Sequence, residues 1–166
     1  SVDRARAMGA GVVHICLGEP YNKSQLLSDE GFAEVRSYWD MVCRQDELPT
    51  LEVPPGFNVR SFQQGDAATL TDAQNAAFEG SWGFCPNTVD QTDYRSKMAN
   101  TSSDGILFLC NDDQTAGYCW TCVSPLRDQT KGFIGMIGVV PEYRGRGVSK
   151  PILLAAIEYL QVLGVA

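Results

Sequence analysis

Between residues 57 and 163 the apolar positions switch between a strand period and a helix period, and the switches predict the elements. Phe57-Asn-Val-Arg-Ser-Phe62 alternates as a strand, and Asp66 is placed to cap a helix that turns Leu70, Ala73, Ala77 and Phe78 toward a core. An aromatic loop follows, Gly80-Ser-Trp-Gly-Phe-Cys-Pro86. Thr88-Val-Asp-Gln91 then fits a capping box opening a second helix through about Met98. Ile106–Cys110 and Thr115–Val123 flank Asn111-Asp-Asp-Gln114 as a hairpin, and Gly132–Val140 reads as a further strand. Pro141-Glu-Tyr-Arg-Gly-Arg-Gly147 is a loop before a strongly apolar helix, Ser149–Leu163, where Pro151 is tolerable because it lies in the first turn.

The first part of the chain is patterned differently. Gly11-Val-Val-His-Ile-Cys-Leu17 reads as an apolar strand and Asn22–Glu30 as a short helix. After Gly31-Phe32, residues 33–41 alternate, with Ala33, Val35, Ser37, Trp39 and Met41 on one face, which predicts a half-buried strand. Leu48-Pro-Thr-Leu-Glu-Val-Pro-Pro-Gly56 is linker-like, because three prolines and a glycine deny it helix or central strand. The expected organisation is residues 1–47, a linker at 48–56, and residues 57–166, together forming one compact domain.

Length and composition agree with a globular protein: 166 residues, 44% hydrophobic and 20% charged, long enough to bury a core. Thirteen Lys and Arg against twenty Asp and Glu leave a net charge of −7, which argues against general attraction to nucleic acid or an anionic membrane, so an anionic ligand must be held locally. No apolar run reaches bilayer-spanning length and no signal-peptide core follows the opening residues, so a cytoplasmic location is expected. Most of the six cysteines sit in apolar runs, where a free thiol acts as a small core hydrophobe. Cys119-Trp-Thr-Cys122 has C-x-x-C spacing, but on a strand those thiols face opposite ways, which argues against a shared metal.

The loop before the last helix is the informative feature. Strand, then Arg144-Gly145-Arg146-Gly147-Val148-Ser149, then helix is an anion-binding arrangement: glycines let backbone N–H groups approach a ligand, and the helix start adds orphan donors and a positive dipole end. A solvated strand-to-helix loop with incidental basic residues is the alternative. The Walker pattern is missing and the dinucleotide fingerprint is not matched. Ile137-Gly-Val139-Val-Pro141-Glu-Tyr-Arg144-Gly-Arg-Gly147-Val-Ser149 resembles the acyl-CoA motif of the GNAT superfamily of N-acyltransferases, Gln/Arg-x-x-Gly-x-Gly/Ala, with Arg144, Gly147 and Ser149 on its fixed positions and Ser149 departing from Gly or Ala.

That resemblance implies an α/β (α+β) fold of three layers, a central mixed twisted sheet with helices on both faces. It implies acetyl-CoA (coenzyme A) as cofactor, with the amides from Arg144 to Ser149, those of Gly145, Arg146, Gly147 and Val148 among them, on the pyrophosphate. Ile137 and Val139 would offer backbone groups to the pantetheine arm, and Asn22 would assist or cap a helix. The order of residues 57–163 also resembles the first two thirds of that fold, while 10–43 resembles its closing part. The helix-to-glycine-to-strand junction occurs twice, at Met8-Gly9 and Leu163-Gly164. Either the chain is a piece of a tandem pair, or residues 10–43 complete the sheet in circularly permuted order, as a monomer or a domain-swapped homodimer. An otherwise open sheet edge favours the permuted completion.

By the same resemblance a Tyr five residues before the Phe of a Gly-Phe pair protonates the leaving thiolate. Gly31-Phe32 is present, but that position is Leu27; Ser28 adjoins it, and Tyr21, before the helix, is the candidate proton donor although it is not at the matching place. His14 is a candidate base or a structural strand histidine. Trp82 and Phe84 either line an acceptor groove or close the core. The function the resemblance implies is transfer of an acyl group, expected to be acetyl, to an amine of a small molecule or peptide; the alternatives are a catalytically silent acyl-CoA-binding module and half of a tandem enzyme.

Overall fold

The computed structural model describes residues 2–17, 24–43, 48–126 and 129–165. It divides into two compact units, Ser1–Val42 and Cys43–Ala166. The second carries the sheet: β1 (Phe57–Ser61), β2 (Ile106–Asn111), β3 (Gln114–Leu126) and β4 (Gln129–Val139), paired antiparallel in that order. Between β1 and β2 lie α3 (Ala67–Phe78) and α4 (Val89–Ser96), and α5 (Ser149–Val162) follows β4. The first unit contains α1 (Val2–Ala7) and α2 (Ser24–Asp29).

The predicted capping box is present: Gln91 N–H donates to Thr88 Oγ1 while Thr88 N–H donates to Gln91 Oε1, satisfying two orphan donors of α4. Asp66 precedes α3 but does not cap it through its side chain. Its carboxylate instead accepts from Arg60 and from Gln63 N–H. Burial works to raise its pKa, but those hydrogen bonds and the Arg60 charge outweigh burial and hold it below the ordinary carboxylate range.

The core fills both faces of the sheet. Tyr118 and Gly138 face α3, where a Cβ at Gly138 would lie 2.7 Å from Ala77 Cβ, so this glycine sets how closely α3 approaches β4. Thr121 faces the other way, donating to the Gly105 carbonyl close to Tyr159 of α5. Ile152, Ala156 and Leu160 repeat at helical spacing along α5 and are all buried. Each large side chain among them contributes about 1.5–3 kcal/mol on burial.

Two expectations need correction. Residues 11–17 and 33–41 form no strand; alternation marks a face, but a strand needs a ladder partner, and none is paired with them among the described residues. Trp39 and Met41 are more than nine-tenths exposed instead of half-buried. The segment 48–56 is not a free linker, because Leu51 and Val53 pack on the core of the second unit. The α+β class holds, with every described strand pairing antiparallel. Beyond β4 a further neighbour is represented by Val165, whose carbonyl accepts from Gly132 N–H at 2.6 Å as the chain returns from α5.

The repeated junction is a geometric repeat. Gly164 (φ 69°) donates to Gln161 and Val165 N–H to Leu160; Gly9 (φ 76°) donates to Arg6 and Ala10 N–H to Ala5. Both are Schellman caps with glycine in the left-handed position. Gly31-Phe32 ends α2 in the same way, Phe32 N–H donating to the Leu27 carbonyl. No helix among the described residues is long and apolar enough to cross a membrane.

Candidate acyl-CoA site

The free edge of β4 is phased by the ladder on its other side. Val140 N–H donates to Ala116, so Gly138 and Met136 direct their backbone groups toward β3 while Ile137 and Val139 direct theirs outward. The register shifts between Trp120 and Thr121, leaving Gly135 as an extra residue. That bulge reverses the phase, which is why Gly132 also points outward, to Val165. The edge is therefore occupied at Gly132 and open at Ile137 and at the Val139 N–H, the two positions expected to meet an extended ligand, while the Val139 carbonyl accepts from Arg144 Nε.

Past Val139 the chain makes a tight turn, Pro141–Tyr143, and Arg144 N–H donates to the Pro141 carbonyl. Gly145 and Gly147 both sit at φ 75°, with nothing within 4 Å of an added Cβ, so the backbone conformation rather than crowding demands glycine. Among the described residues the N–H groups of Gly145, Arg146, Gly147 and Val148 donate to nothing, and no side chain caps α5 at Val148. Ser149 opens the helix, adding the first orphan donors and the positive dipole end. This run of open amides fits a diphosphate.

The arginines are placed differently from expectation. Arg144 donates from Nε to the Val139 carbonyl (3.2 Å) and from Nη2 to the Ala77 carbonyl (2.9 Å), so its side chain is held on backbone and its own amide is used in the turn. The expected span of open amides thus begins at Gly145. The Arg146 guanidinium lies over the Tyr143 ring, 5.1 Å from its centroid. Tyr143 is buried and donates to Gln114 Oε1 at 2.8 Å, anchoring the loop to the β2–β3 hairpin. A cleft of ≈ 300 Å³ lies between Pro49, Glu52 and Pro54 on one side and Gly147, Lys150 and Leu154 on the other.

The aromatic loop leaves the end of α3. Trp82 is 46% exposed and Phe84 half-buried, so Trp82 does not close the core. The base of the loop is pinned: Asn75 Nδ2 donates to the Asn87 carbonyl at 3.0 Å, and Asn87 N–H donates back to Asn75 Oδ1 at 2.8 Å. Sequence reading missed Asn75, Asn87, the Gly135 bulge and the Arg144 tie; only the polar Asn75 near the apolar end of a helix hinted at one of them.

His14 is exposed and belongs to the first unit, in backbone without regular structure. Tyr21 and Asn22 lie outside the described residues. On β3, Cys119 is buried, and burial pushes its thiol up to about 12, so it is not a nucleophile at neutral pH.

The sequence of residues 67–165 matches the model of the acetyltransferase (GNAT) family. The chain belongs to the GNAT family. A mycothiol acetyltransferase of Pseudarthrobacter chlorophenolicus is 30% identical over 150 residues, covering 85% of this chain and 46% of the relative. One from a Nocardioides species is 28% identical over 199 residues, covering 98% of this chain and 65% of the relative. The chain thus spans about half the length of most of the mycothiol acetyltransferases it matches. Among solved structures, a GCN5-related N-acetyltransferase from Sphaerobacter thermophilus is 26% identical with a TM-score of 0.59, covering 72% of this chain and 37% of that one. A GNAT acetyltransferase from Brucella melitensis, solved with acetyl-CoA, shares the fold at 19% identity and a TM-score of 0.53, covering 66% of this chain and 71% of that one.

Proposed function

We propose that this GNAT domain binds acetyl-CoA and serves an N-acetyltransferase whose acceptor is an amine. The observation that carries the reading is the run of four unpartnered amides at 145–148, entering an uncapped helix beside the open edge of β4. In this reading those amides and Ser149 hold the pyrophosphate, and the outward backbone groups of Ile137 and the Val139 N–H align the pantetheine arm. When bound, acetyl-CoA supplies the acetyl group as a thioester. The acceptor amine forms the new C–N bond as the C–S bond breaks, one proton leaving the nitrogen and one reaching the sulfur. Trp82 and Phe84, on a loop closed at its base by Asn75 and Asn87, form the acceptor wall. The relatives' name supports a mycothiol-related amine.

Residues 2–43 are best read as the closing segment of one such domain and 48–165 as the opening of the next. The identical caps at Gly9 and Gly164 support this, as does a match that takes in 85% and 90% of this chain but only 46% and 49% of two relatives. The permuted completion, monomeric or swapped, had rested on residues 11–17 and 33–41 being strands. In the tandem reading His14 and Tyr21 serve the first domain, not the loop at 145–149.

Calorimetric titration with acetyl-CoA tests the binding site, with saturable micromolar binding expected. Thiol release in the presence of an amine separates the enzyme from a silent acyl-CoA-binding module. That module is the second reading, favoured by the missing carboxylate along Phe133–Val139. A folded chain that binds no acetyl-CoA refutes both.

A further inference from the structure

We propose that Arg144 is a positioning residue whose guanidinium ties the cofactor loop to the loop that follows α3, so that acetyl-CoA binding is felt at residues 79–87. The inference rests on the acyl-CoA reading of the loop. Its basis is that Arg144 directs its donors to two neutral carbonyls on different elements, Val139 at the end of β4 and Ala77 in the last turn of α3. Among the described residues no carboxylate pairs with it.

Each carbonyl has a reason to want a donor. Ala77 belongs to the last turn of α3, whose carbonyls lack helical partners and form the negative end of the dipole. Val139 directs its carbonyl away from β3, along the open edge. Gly138, without a side chain, brings β4 within reach of that same turn. Asn75, also near the end of α3, holds Asn87 at the far side of the aromatic loop. Whatever fixes the end of α3 therefore fixes both ends of residues 79–87. Because the Arg144 amide closes the turn from Pro141, ordering residues 145–148 on a diphosphate restrains the arginine, and through it Ala77.

Amide hydrogen exchange of Glu79, Ser81 and Phe84, which donate to Asn75, Phe78 and Ser81, reads the tie directly. In the wild type, saturating acetyl-CoA is expected to slow these amides about threefold, and Arg144→Met to speed them about fivefold in the free protein and to abolish the ligand effect even at saturation. Arg144→Gln keeps an N–H donor without the charge and is expected to restore most of the protection. The ratio of Kd values, variant over wild type, should be the same at about 50 and 500 mM salt, whereas a direct arginine–phosphate pair would make it shrink as salt screens the charge. Wild-type exchange in Arg144→Met, a Gln variant as impaired as Met, or a ratio that shrinks with salt overturns the proposal. If Arg144→Met does not fold by circular dichroism, the salt ratio of Arg144→Gln decides. Failure of the wild type to bind acetyl-CoA overturns the functional reading, whereas the free-protein exchange of Arg144→Met tests the tie by itself.

Discussion

Gly147 separates backbone cost from ligand electrostatics, because its surroundings are open. At φ 75° a side chain is strained, yet a Cβ there meets nothing within 4 Å. Asn and Asp are the residues that best tolerate this conformation, and both should cost about 1 kcal/mol of stability, a fall of about 2–6 °C in Tm for a unit of this size. They have nearly the same shape and differ in charge. With the carboxylate about 5 Å from a phosphate oxygen, the repulsion per unit charge is about 0.8 kcal/mol at a dielectric of about 80 and about 3.3 kcal/mol at about 20. Gly147→Asp should therefore bind acetyl-CoA about 4- to 250-fold more weakly than Gly147→Asn. Titration calorimetry at low and high salt measures the difference, which should shrink with salt. Equal Kd values for the two variants would refute a diphosphate at this loop, whatever happened to Tm.

Three further outcomes follow from the packing and the charges. Gly138→Ala places a methyl 2.7 Å from Ala77 Cβ and 2.9 Å from Tyr118 Cε1, and overpacking should cost about 1–3 kcal/mol in urea denaturation. Asp66→Asn should lose about 1–2 kcal/mol at neutral pH by giving up the Arg60 pair. Because the folded pKa of Asp66 is depressed, that stabilisation is fully present above its unfolded value near about 4 and is lost as pH falls through the folded value, so the two proteins should converge in acid. Deleting residues 1–43 should leave Tm unchanged and acetyl-CoA affinity within about twofold if the segment closes another domain; a loss of affinity of more than about tenfold, roughly 1.4 kcal/mol, would favour the permuted completion.

The sequence by itself determined the elements whose stability is local. Thr88 and Gln91 specify a capping box within four residues, and Gly9, Gly31 and Gly164 specify left-handed caps that depend only on their own helices. The alternating β1, the continuous apolar run of β2 and the apolar stripe of α5 were legible because each has apolar surface to bury. The glycines of the cofactor loop were legible too, since an open backbone leaves its mark on residue choice. Tertiary structure alone decided what depends on distant partners. Residues 11–17 and 33–41 carry the alternation of strands, but alternation does not supply a ladder, and they form none among the described residues. Arg144 reads in sequence as a charge for a phosphate, yet the carbonyl of Ala77, sixty-seven positions away, gives its side chain a different place. The bulge at Gly135, which lets Gly132 point outward along with Ile137 and Val139, follows from register between β3 and β4, and register belongs to the pair of strands rather than to either one.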